Sequence, residues 1–295
     1  MKKISIIICT YNRDKFLKIC LQSIATLTAD KALYEVVVVN NNCTDSTDEL
    51  CQRFAQQHPD IPFRQVVEKN QGLGFARNKG IAEARGEIIS FIDDDAEATP
   101  LFVQSILNAF AQHPQYNALG GKILPVYEDG KEPEWLNKYL FGPISKVDYG
   151  SKTRPFPKKY PAGCNMVFRR QLFEKYGGFV GQLSRSDDKD MFLRLKKHRE
   201  KVLYAADVVV YHHIPADRVS YESIIKIGYS NGKFEALRLK EQRRGQKLSK
   251  LAELTLKFAA GIAIGCSYFV RLKPEKGRYL VAYMYKMLSG YVQNL

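Results

Sequence analysis

Cysteine is scarce in this chain, and no two cysteines form a C-x-x-C pair. The six cysteines are spread over 295 residues. The N-terminal apolar run is too short for a secretory signal and ends in Tyr11, Asn12 and Arg13 without a cleavage-site pattern. These absences exclude a disulfide-stapled secreted framework, and we expect reduced thiols in a cytoplasmic protein.

Long membrane-like runs are also missing. The run that comes closest to a membrane span is residues 258–270, 13 residues without a charge between Lys257 and Arg271. A helix that crosses a bilayer needs about 20 apolar residues. The sequence therefore predicts no membrane-spanning helix.

Positive charge is in excess and unevenly distributed. The net charge is +14, and residues 216–295 alone carry 15 Lys and Arg against six Asp and Glu, a net charge of +9. A basic block of this kind predicts a surface for an anionic partner, which is a membrane leaflet, nucleic acid or an acidic glycan.

The first 112 residues alternate between short apolar runs and amphipathic segments. The apolar runs predict strands at 4–9, 34–40, 63–68 and 87–93, and the amphipathic segments predict helices at 14–27, 44–57, 74–84 and 100–112. Thr44 or Asp45 is the predicted N-cap of the second helix. Four strand–helix units in succession predict an α/β fold with a doubly wound, mostly parallel sheet.

Polar residues follow each of these four strands. In doubly wound sheets, ligands bind beyond the carboxyl ends of the strands. After the fourth strand come Asp93, Asp94 and Asp95, three like charges that repel one another unless a cation lies among them. Because carboxylate oxygens suit hard divalent cations, the sequence predicts a metal site at this edge. The other polar strand ends are residues 10–13, 40–45 and 70–74.

Four segments, in order, resemble the successive motifs of family-2 glycosyltransferases of the GT-A fold. They are SIIICTYNR, VVVVNNNCTDST, NQGLGFARNKGIAEARGEIISFIDDDA and DDKDMFLRLKKHREKVLYAADVVVYHH, within residues 4–213. Their order and spacing make the match specific, although each motif alone is weak. The resemblance implies a GT-A fold, a UDP-, GDP- or dTDP-sugar as donor, and Mn²⁺ or Mg²⁺ as cofactor.

On the donor side, the resemblance identifies Asp93 and Asp95 as the family's D-x-D pair. It implies that Asp93 contacts the ribose, that Asp95 coordinates the metal on the diphosphate, and that Asp94 supports them. Asn40 stands where the family has an aspartate that binds the base, and an asparagine carbonyl can accept the same hydrogen bond. Gly72 is equally typical of an ordinary turn. The implied donor-nucleotide contacts are Thr10, Tyr11, Arg13, Asn40, Asn70, Gly72, Arg77, Asn78, Asp93 and Asp94.

On the acceptor side, the resemblance matches Asp188 to the catalytic base of an inverting transfer, which takes a proton from the acceptor hydroxyl. Repulsion among neighbouring carboxylates would raise the pKa of such a base. The alternative is that these aspartates only stabilise the N-terminus of a helix through its dipole. The implied acceptor-side residues are Gly163, Cys164, Asn165, Asp187 and Asp190.

A histidine at a later strand end completes the metal shell in many relatives. His212 is the better match by spacing, and His213 remains an alternative. An imidazole ligand would favour Mn²⁺ over Mg²⁺.

The sequence predicts two domains, a catalytic domain at 1–215 and a basic amphipathic helical extension at 216–295. Three interpretations of the extension stay open: a helix in the membrane interface, a cap packed on the catalytic domain, or a contact between two subunits. The first would make this cytoplasmic protein peripheral on the inner face of the cell membrane.

The predicted function is that of an inverting, metal-dependent glycosyltransferase. It would move a sugar to a hydroxyl of a glycan or lipid-linked glycan, as in bacterial surface polysaccharide synthesis. One rival is a Mg-dependent phosphatase or nucleotidyltransferase, but a haloacid dehalogenase would place its D-x-D after the first strand. The other is a basic, non-enzymatic nucleic-acid-binding protein. No nucleic-acid reading module is recognisable, so we expect no nucleic-acid partner.

Overall fold

The structure is a computed structural model that describes residues 2–157, 160–182 and 187–295. The strands of this part are β1 (Ile4–Thr10), β2 (Tyr34–Asn40), β3 (Phe63–Val67), β4 (Ile88–Asp93), β5 (Ala96–Ala98), β6 (Ala118–Tyr127), β7 (Arg154–Pro155), β8 (Asn165–Arg169) and β9 (Val202–Ile214). Its helices are α1 (Asp14–Ala25), α2 (Thr47–Gln57), α3 (Leu73–Glu83), α4 (Phe102–Gln112), α5 (Gln171–Tyr176), α6 (Asp187–Lys197), α7 (Tyr221–Arg238), α8 (Arg244–Val270) and α9 (Pro274–Val292).

One mixed sheet organises the strands, in the order β3-β2-β1-β4-β8-β6-β9-β5, with β7 paired to β9. Strands β3, β2, β1 and β4 are parallel, and β8 runs antiparallel to β4. The register pairs Thr10 with Asn40 and Cys9 with Asp93. The polar strand ends therefore meet at one edge, as predicted.

Both faces of the parallel strands are covered, which explains why they read as continuous apolar runs. In β1, Ile6 and Ile8 face one hydrophobic cluster together with Leu17 of α1, and Ile7 faces a second cluster together with Ala76 of α3. Helices thus lie on both sides of the sheet. The predicted doubly wound α/β class is confirmed.

The predicted bounds of the first eight elements hold within two residues, except at the start of α2. That helix begins at Thr47 rather than at residue 44, and its N-cap is Ser46. The Asp45 carboxylate accepts hydrogen bonds from the Thr47 backbone N–H at 3.2 Å and from the Thr47 hydroxyl at 2.6 Å. This side-chain turn replaces the first turn of the predicted helix.

The chain forms two compact units. One runs to Pro125 and includes Val147–His213, and the other contains Val126–Lys146 and Ile214–Leu295. Residues 126–146, which the sequence analysis placed in the catalytic domain, thus belong to the second unit. There the Trp135 ring stacks on Tyr279 with ring centroids 4.8 Å apart.

Within the described part of the chain, α8 is long and apolar enough to cross a membrane by length and composition. Its most apolar 18-residue window has a mean hydropathy of 1.3, and only 17% of that window is buried. The 13-residue uncharged run therefore lies within a longer helix, which continues on the N-terminal side past Lys257.

Candidate functional site

Arg13 holds the two aspartates that follow β4. Its guanidinium donates from Nη1 to Asp94 Oδ1 at 2.9 Å and from Nη2 to Asp95 Oδ2 at 2.8 Å. Asp94 and Asp95 are 4% and 2% exposed. The pKa of Asp94 is raised to about 7, mainly by burial; the charge of Arg13 lowers it, and the neighbouring Asp95 carboxylate raises it. This edge of the sheet is therefore an acidic site in which Arg13 partly neutralises Asp94 and Asp95.

The short strand β5 determines which histidine reaches this site. It pairs antiparallel with β9, with Ala96 opposite His212. The Nε2 atom of His212 lies 3.3 Å from Asp95 Oδ2, and both side chains are almost fully buried. His213 contacts Glu97 instead. Of the two histidines that the sequence left open, the structure places His212 beside Asp95.

Asp95 and His212 fit a divalent cation as neighbouring ligands. Two donor atoms bound at about 2.1–2.2 Å and at a right angle lie roughly 3 Å apart, close to the observed 3.3 Å. Across residues 2–157, 160–182 and 187–295, no group of three or more His, Cys, Asp or Glu side chains could hold a metal. The remaining ligands would have to be substrate oxygens or water, which is how Mg²⁺-like ions are usually held.

A second ionic cluster centres on Arg77 of α3. Its Nη1 bonds to Asp187 Oδ2 at 2.5 Å, and its Nη2 lies 3.5 Å from Asp93 Oδ1. The side chain is 3% exposed, and the guanidinium also lies 5.4 Å from the centroid of the Phe179 ring. This buried side chain joins the end of β4 to the start of α6, and the nucleotide contact of Arg77 stays a prediction.

Asp188, the predicted base, follows Asp187 in α6. Its Oδ2 atom accepts a hydrogen bond from the Gly163 backbone N–H at 3.0 Å. The pKa of Asp188 is raised to about 6. Burial is the largest cause, repulsion by Asp187 also raises the pKa, and the charge of Arg77 lowers it. The predicted rise in pKa is confirmed, although burial is a larger cause than repulsion. Ser186, in the segment that carried this prediction, lies outside the described residues.

Gly163 and Asp190 take different positions around this base. A Cβ atom on Gly163 would lie 2.3 Å from Arg77 Nη2, so only glycine lets the backbone approach the guanidinium. Asp190 faces Arg194 of its own helix at 3.3 Å. Gly163 thus lies in the cluster, whereas Asp190 makes an i,i+4 ion pair at its margin.

Asn40 and its neighbours form a closed turn after β2. The Asn40 carbonyl accepts from the Cys43 backbone N–H at 2.7 Å, and its amide donates to Asp48 at 2.6 Å. Asn40 is 3% exposed and holds the loop and Asp48, and its expected contact with the base stays a prediction. Thr10 is also buried, whereas the Tyr11 ring is 49% exposed at the same edge.

Asn41 is a site-shaping residue that the sequence analysis missed. Its amide donates to the backbone carbonyls of Glu68 and Asn70 at 2.9 and 2.8 Å, and its carbonyl accepts from Gly72 N at 2.8 Å. Gly72 has φ +143°, a conformation that favours glycine. The signal was present as the second of three consecutive asparagines, but only the first matched a family position.

Three predicted site residues hold the backbone rather than face open space. The Asn78 side chain bonds to both the backbone N–H and the carbonyl of Phe179 at 2.8 Å. Asn165 is fully buried and donates to the carbonyls of Lys122 and Val208. Cys164 is 1% exposed in the hydrophobic core. In the structure these residues make supporting contacts around the site, and their expected contacts with donor or acceptor stay predictions.

The geometry defines a class of enzyme. The doubly wound sheet carries an acidic edge with His212 beside Asp95, and the nearby Asp188 carboxylate has a raised pKa; these features suit group transfer from an activated phosphate ester. The family model described as Glycosyl transferase family 2 matches residues 5–177. The chain belongs to this family and is a glycosyltransferase, which excludes the phosphatase, nucleotidyltransferase and non-enzymatic alternatives.

Curated relatives carry the same activity class. A glucosyl-dolichyl phosphate glucuronosyltransferase of Haloferax volcanii is 23% identical over 76% of this chain and 73% of its own length. The putative glycosyltransferase EpsH of Bacillus subtilis is 24% identical over 76% of this chain and 62% of its own length, so the match covers under two thirds of EpsH.

Solved structures confirm the GT-A fold. A mannosyltransferase, PcManGT from Pyrobaculum calidifontis in complex with GDP-Man and Mn²⁺, superposes with a TM-score of 0.64 and 20% identity over 97% of this chain and 87% of that chain. Residues 1–349 of S. aureus TarS give a TM-score of 0.58 and 18% identity over 99% and 92%.

Proposed function

We propose that this enzyme is an inverting, metal-dependent glycosyltransferase that moves a sugar from a nucleotide sugar to a hydroxyl of a glycan or lipid-linked glycan. One observation carries the proposal. Arg77 bonds to Asp187, the neighbour of Asp188, and reaches Asp93 at the donor edge. Arg77 thus links Asp187, next to the proposed base, to Asp93 at the end of β4.

The donor would lie across the acidic edge. Its diphosphate would pair with Arg13, and its base would meet the exposed Tyr11 ring. Asp95 and His212 would hold Mn²⁺ or Mg²⁺, which supplies neutralising charge to the leaving nucleoside diphosphate. The imidazole of His212 favours Mn²⁺. A UDP-, GDP- or dTDP-sugar is the proposed donor class, in keeping with GDP-Man in PcManGT and UDP-GlcNAc in TarS.

Asp188 would act as the general base. The Gly163 N–H bond orients its carboxylate, and the free oxygen lone pairs can take the acceptor's hydroxyl proton. The acceptor oxygen then bonds to the anomeric carbon as the bond to the diphosphate oxygen breaks, so the anomeric configuration inverts. Asp187 and Arg77 would hold the base and Asp93 at a fixed distance from each other.

A lipid-linked or surface glycan is the proposed acceptor, and the cytoplasm is the proposed compartment. The Haloferax relative is named for a dolichyl phosphate substrate, which carries its sugar on a lipid. All six cysteines of the chain are free thiols, as expected in a reducing compartment.

The test is a transfer assay with a panel of nucleotide sugars, glycan and lipid-linked acceptors and Mn²⁺, with the product's anomeric configuration read by NMR. We expect one donor to give a product of inverted configuration. A product that retains the donor's configuration, or release of phosphate without sugar transfer, would contradict the proposal.

The transfer rate should depend on pH through Asp188. A base works only when deprotonated, and the pKa of Asp188 is raised to about 6. We therefore expect kcat/KM to fall as the pH drops through about 6 and to level off above it. Asp187→Asn removes a repulsion that raises this pKa, so its acid limb should move to lower pH. A flat profile between roughly pH 5 and 8 would rule out Asp188 as the titrating base.

Arg13→Met should separate metal binding from nucleotide binding. The Arg13 guanidinium neutralises Asp94 and Asp95, so it competes with a cation there until a diphosphate draws it away. We expect Mn²⁺ alone to bind about tenfold tighter to the variant, and a nucleoside diphosphate with Mn²⁺ to bind about tenfold weaker. Isothermal titration calorimetry measures both. Arg53→Met, at an exposed position on α2, is the control. An unchanged Mn²⁺ affinity would contradict this role.

A further inference from the structure

One face of α8 carries no charged side chain along most of the helix. Successive residues on this face are three or four positions apart, and all of them are exposed. Leu248, Leu256 and Val270 on it are 57%, 71% and 83% exposed. From its N-terminal end, the first six residues of this face are Leu248, Ala252, Leu256, Ala259, Ala263 and Cys266. We call it the uncharged face of α8.

The opposite face of α8 packs on α9 through glycines. A Cβ atom on Gly277 of α9 would lie 2.7 Å from the Gly265 carbonyl oxygen, and one on Gly261 would lie 3.3 Å from the Met284 side chain. Gly261 and Gly265 have the G-x-x-x-G spacing. Close backbone packing through such small residues is characteristic of helices that associate in lipid.

The same packing recurs between α7 and α9. Gly228 and Gly232 of α7 are also four residues apart, and a Cβ atom on Gly232 would lie 2.0 Å from the Met287 carbonyl oxygen. A Cβ atom on Gly290 would lie 2.1 Å from the Tyr229 carbonyl oxygen. The three helices therefore bury small residues against one another and leave large apolar side chains of α8 outside.

Basic residues stand at both ends of the uncharged face. Arg243 and Arg244 are exposed at its start. At its end, exposed Arg271 and Lys273 alternate with Phe269, Val270 and Leu272, which are 70%, 83% and 90% exposed. We call residues 269–273 the apolar–basic tip. Apolar side chains that alternate with Arg and Lys suit the boundary between lipid headgroups and acyl chains.

We propose that the uncharged face of α8 and its apolar–basic tip dock on an anionic lipid leaflet, with the helix lying in the plane of the interface. The positive charge of residues 216–295 argues against a second copy of the chain as the partner of this face. Two segments of net charge +9 repel each other, whereas an anionic leaflet attracts them. This surface would bring the enzyme to a lipid-linked acceptor, but the docking does not require the proposed transfer reaction.

The uncharged part of α8 is too short to cross the hydrocarbon core of a bilayer. Residues 258–270 without a charge extend about 20 Å, against a hydrocarbon core of about 30 Å. The 18-residue stretch of α8 that is apolar enough to cross a membrane includes Glu253 and Lys257. These two side chains form an ion pair at the side of the helix. In an interfacial orientation these charges remain in water.

The test is sedimentation of the full chain with vesicles of phosphatidylcholine, alone or mixed with phosphatidylglycerol. We expect sedimentation with the anionic vesicles, weakened by added salt, and little with phosphatidylcholine alone. The triple variant Phe269→Ser, Val270→Ser, Leu272→Ser should bind at least about tenfold more weakly, and Arg271→Gln with Lys273→Gln should also weaken binding by about tenfold or more.

Matched controls keep the test decisive. Val67→Ser with Leu101→Ser removes exposed apolar side chains elsewhere, and Arg53→Gln with Lys18→Gln removes exposed charges on α2 and α1. Both should bind as the wild type does. The Asp188→Asn protein should also bind vesicles fully, so failure of the transfer proposal and failure of the docking proposal are distinguishable.

Three outcomes would overturn the docking proposal. The first is no sedimentation with anionic vesicles, and the second is binding that the triple variant does not weaken while its thermal midpoint matches the wild type. The third is a dimer in light scattering that the triple variant dissociates, which would assign the face to a second copy.

Discussion

Asp188→Asn is expected to lower kcat by about 10²–10⁴ while the donor still binds. An asparagine is the same size, and its one oxygen can accept the Gly163 N–H bond, but it loses the Lys189 N–H bond to the other oxygen and cannot take a proton. The loss should therefore appear in transfer and not in affinity. Nucleoside diphosphate release measures the first, and a nucleotide-dependent thermal shift measures the second.

The matched control for this variant is Asp207→Asn, the same substitution at an exposed position in β9. It should transfer at the wild-type rate. An Asp188→Asn enzyme that keeps full activity would remove the base from the mechanism, and one that loses donor binding equally would assign Asp188 a donor contact.

Arg77→Met is expected to lower the free energy of unfolding by about 3–5 kcal/mol. The guanidinium is 3% exposed and is the cation that the structure places against Asp187 and Asp93, within the described residues. Methionine leaves a nearly buried Asp187 carboxylate without its counter-charge, which is more costly than losing an exposed pair. Urea unfolding monitored by circular dichroism measures the change.

Lys79→Met on the same helix is the control. Lys79 pairs with Glu83 at 2.8 Å, but both side chains are about one-third exposed, so the loss of stability should be much smaller than that of Arg77→Met. Adding Asp187→Asn to Arg77→Met should recover part of the stability, because the uncompensated charge is gone. Equal unfolding midpoints for Arg77→Met and Lys79→Met would contradict a buried ionic link.

The parallel half of the sheet was predictable because its physics is local. Strands such as β2 (Tyr34–Asn40) are buried on both faces and read as unbroken apolar runs. Polar residues after each strand then had to meet at one edge, since parallel strands share a direction. The aspartates after β4 and the base in α6 were accessible through the family's motif order.

What the sequence did not show depends on contacts between distant residues. Arg77 and Asp187 are 110 positions apart, and nothing in their spacing distinguishes a buried ion pair from a nucleotide contact. The three-residue strand β5 is too short for a periodic signal, yet its register with β9 decides between His212 and His213. The bonds of Asn40 to Cys43 and Asp48 form only in the folded turn, so the sequence does not show them.

The C-terminal segment shows the same limit in another way. Its charge and amphipathic composition predicted basic helices, and three are present. The packing of glycines against α9 determines which face of α8 remains exposed. The periodicity of apolar residues in the sequence does not show this packing. Residues 126–146 belong to the second unit, where Trp135 stacks on Tyr279, and this contact between distant residues has no signal in the sequence.

The most direct test of the account is a thermal-shift panel of nucleoside diphosphates and nucleotide sugars, with and without Mn²⁺, on the wild type and Asp95→Ala. A ligand that binds the folded state raises the melting temperature by mass action. The account predicts a shift with one nucleotide that requires Mn²⁺ and disappears in Asp95→Ala. No shift with any nucleotide under any metal, or a shift that Asp95→Ala leaves intact, would contradict a metal-assisted donor site at the end of β4.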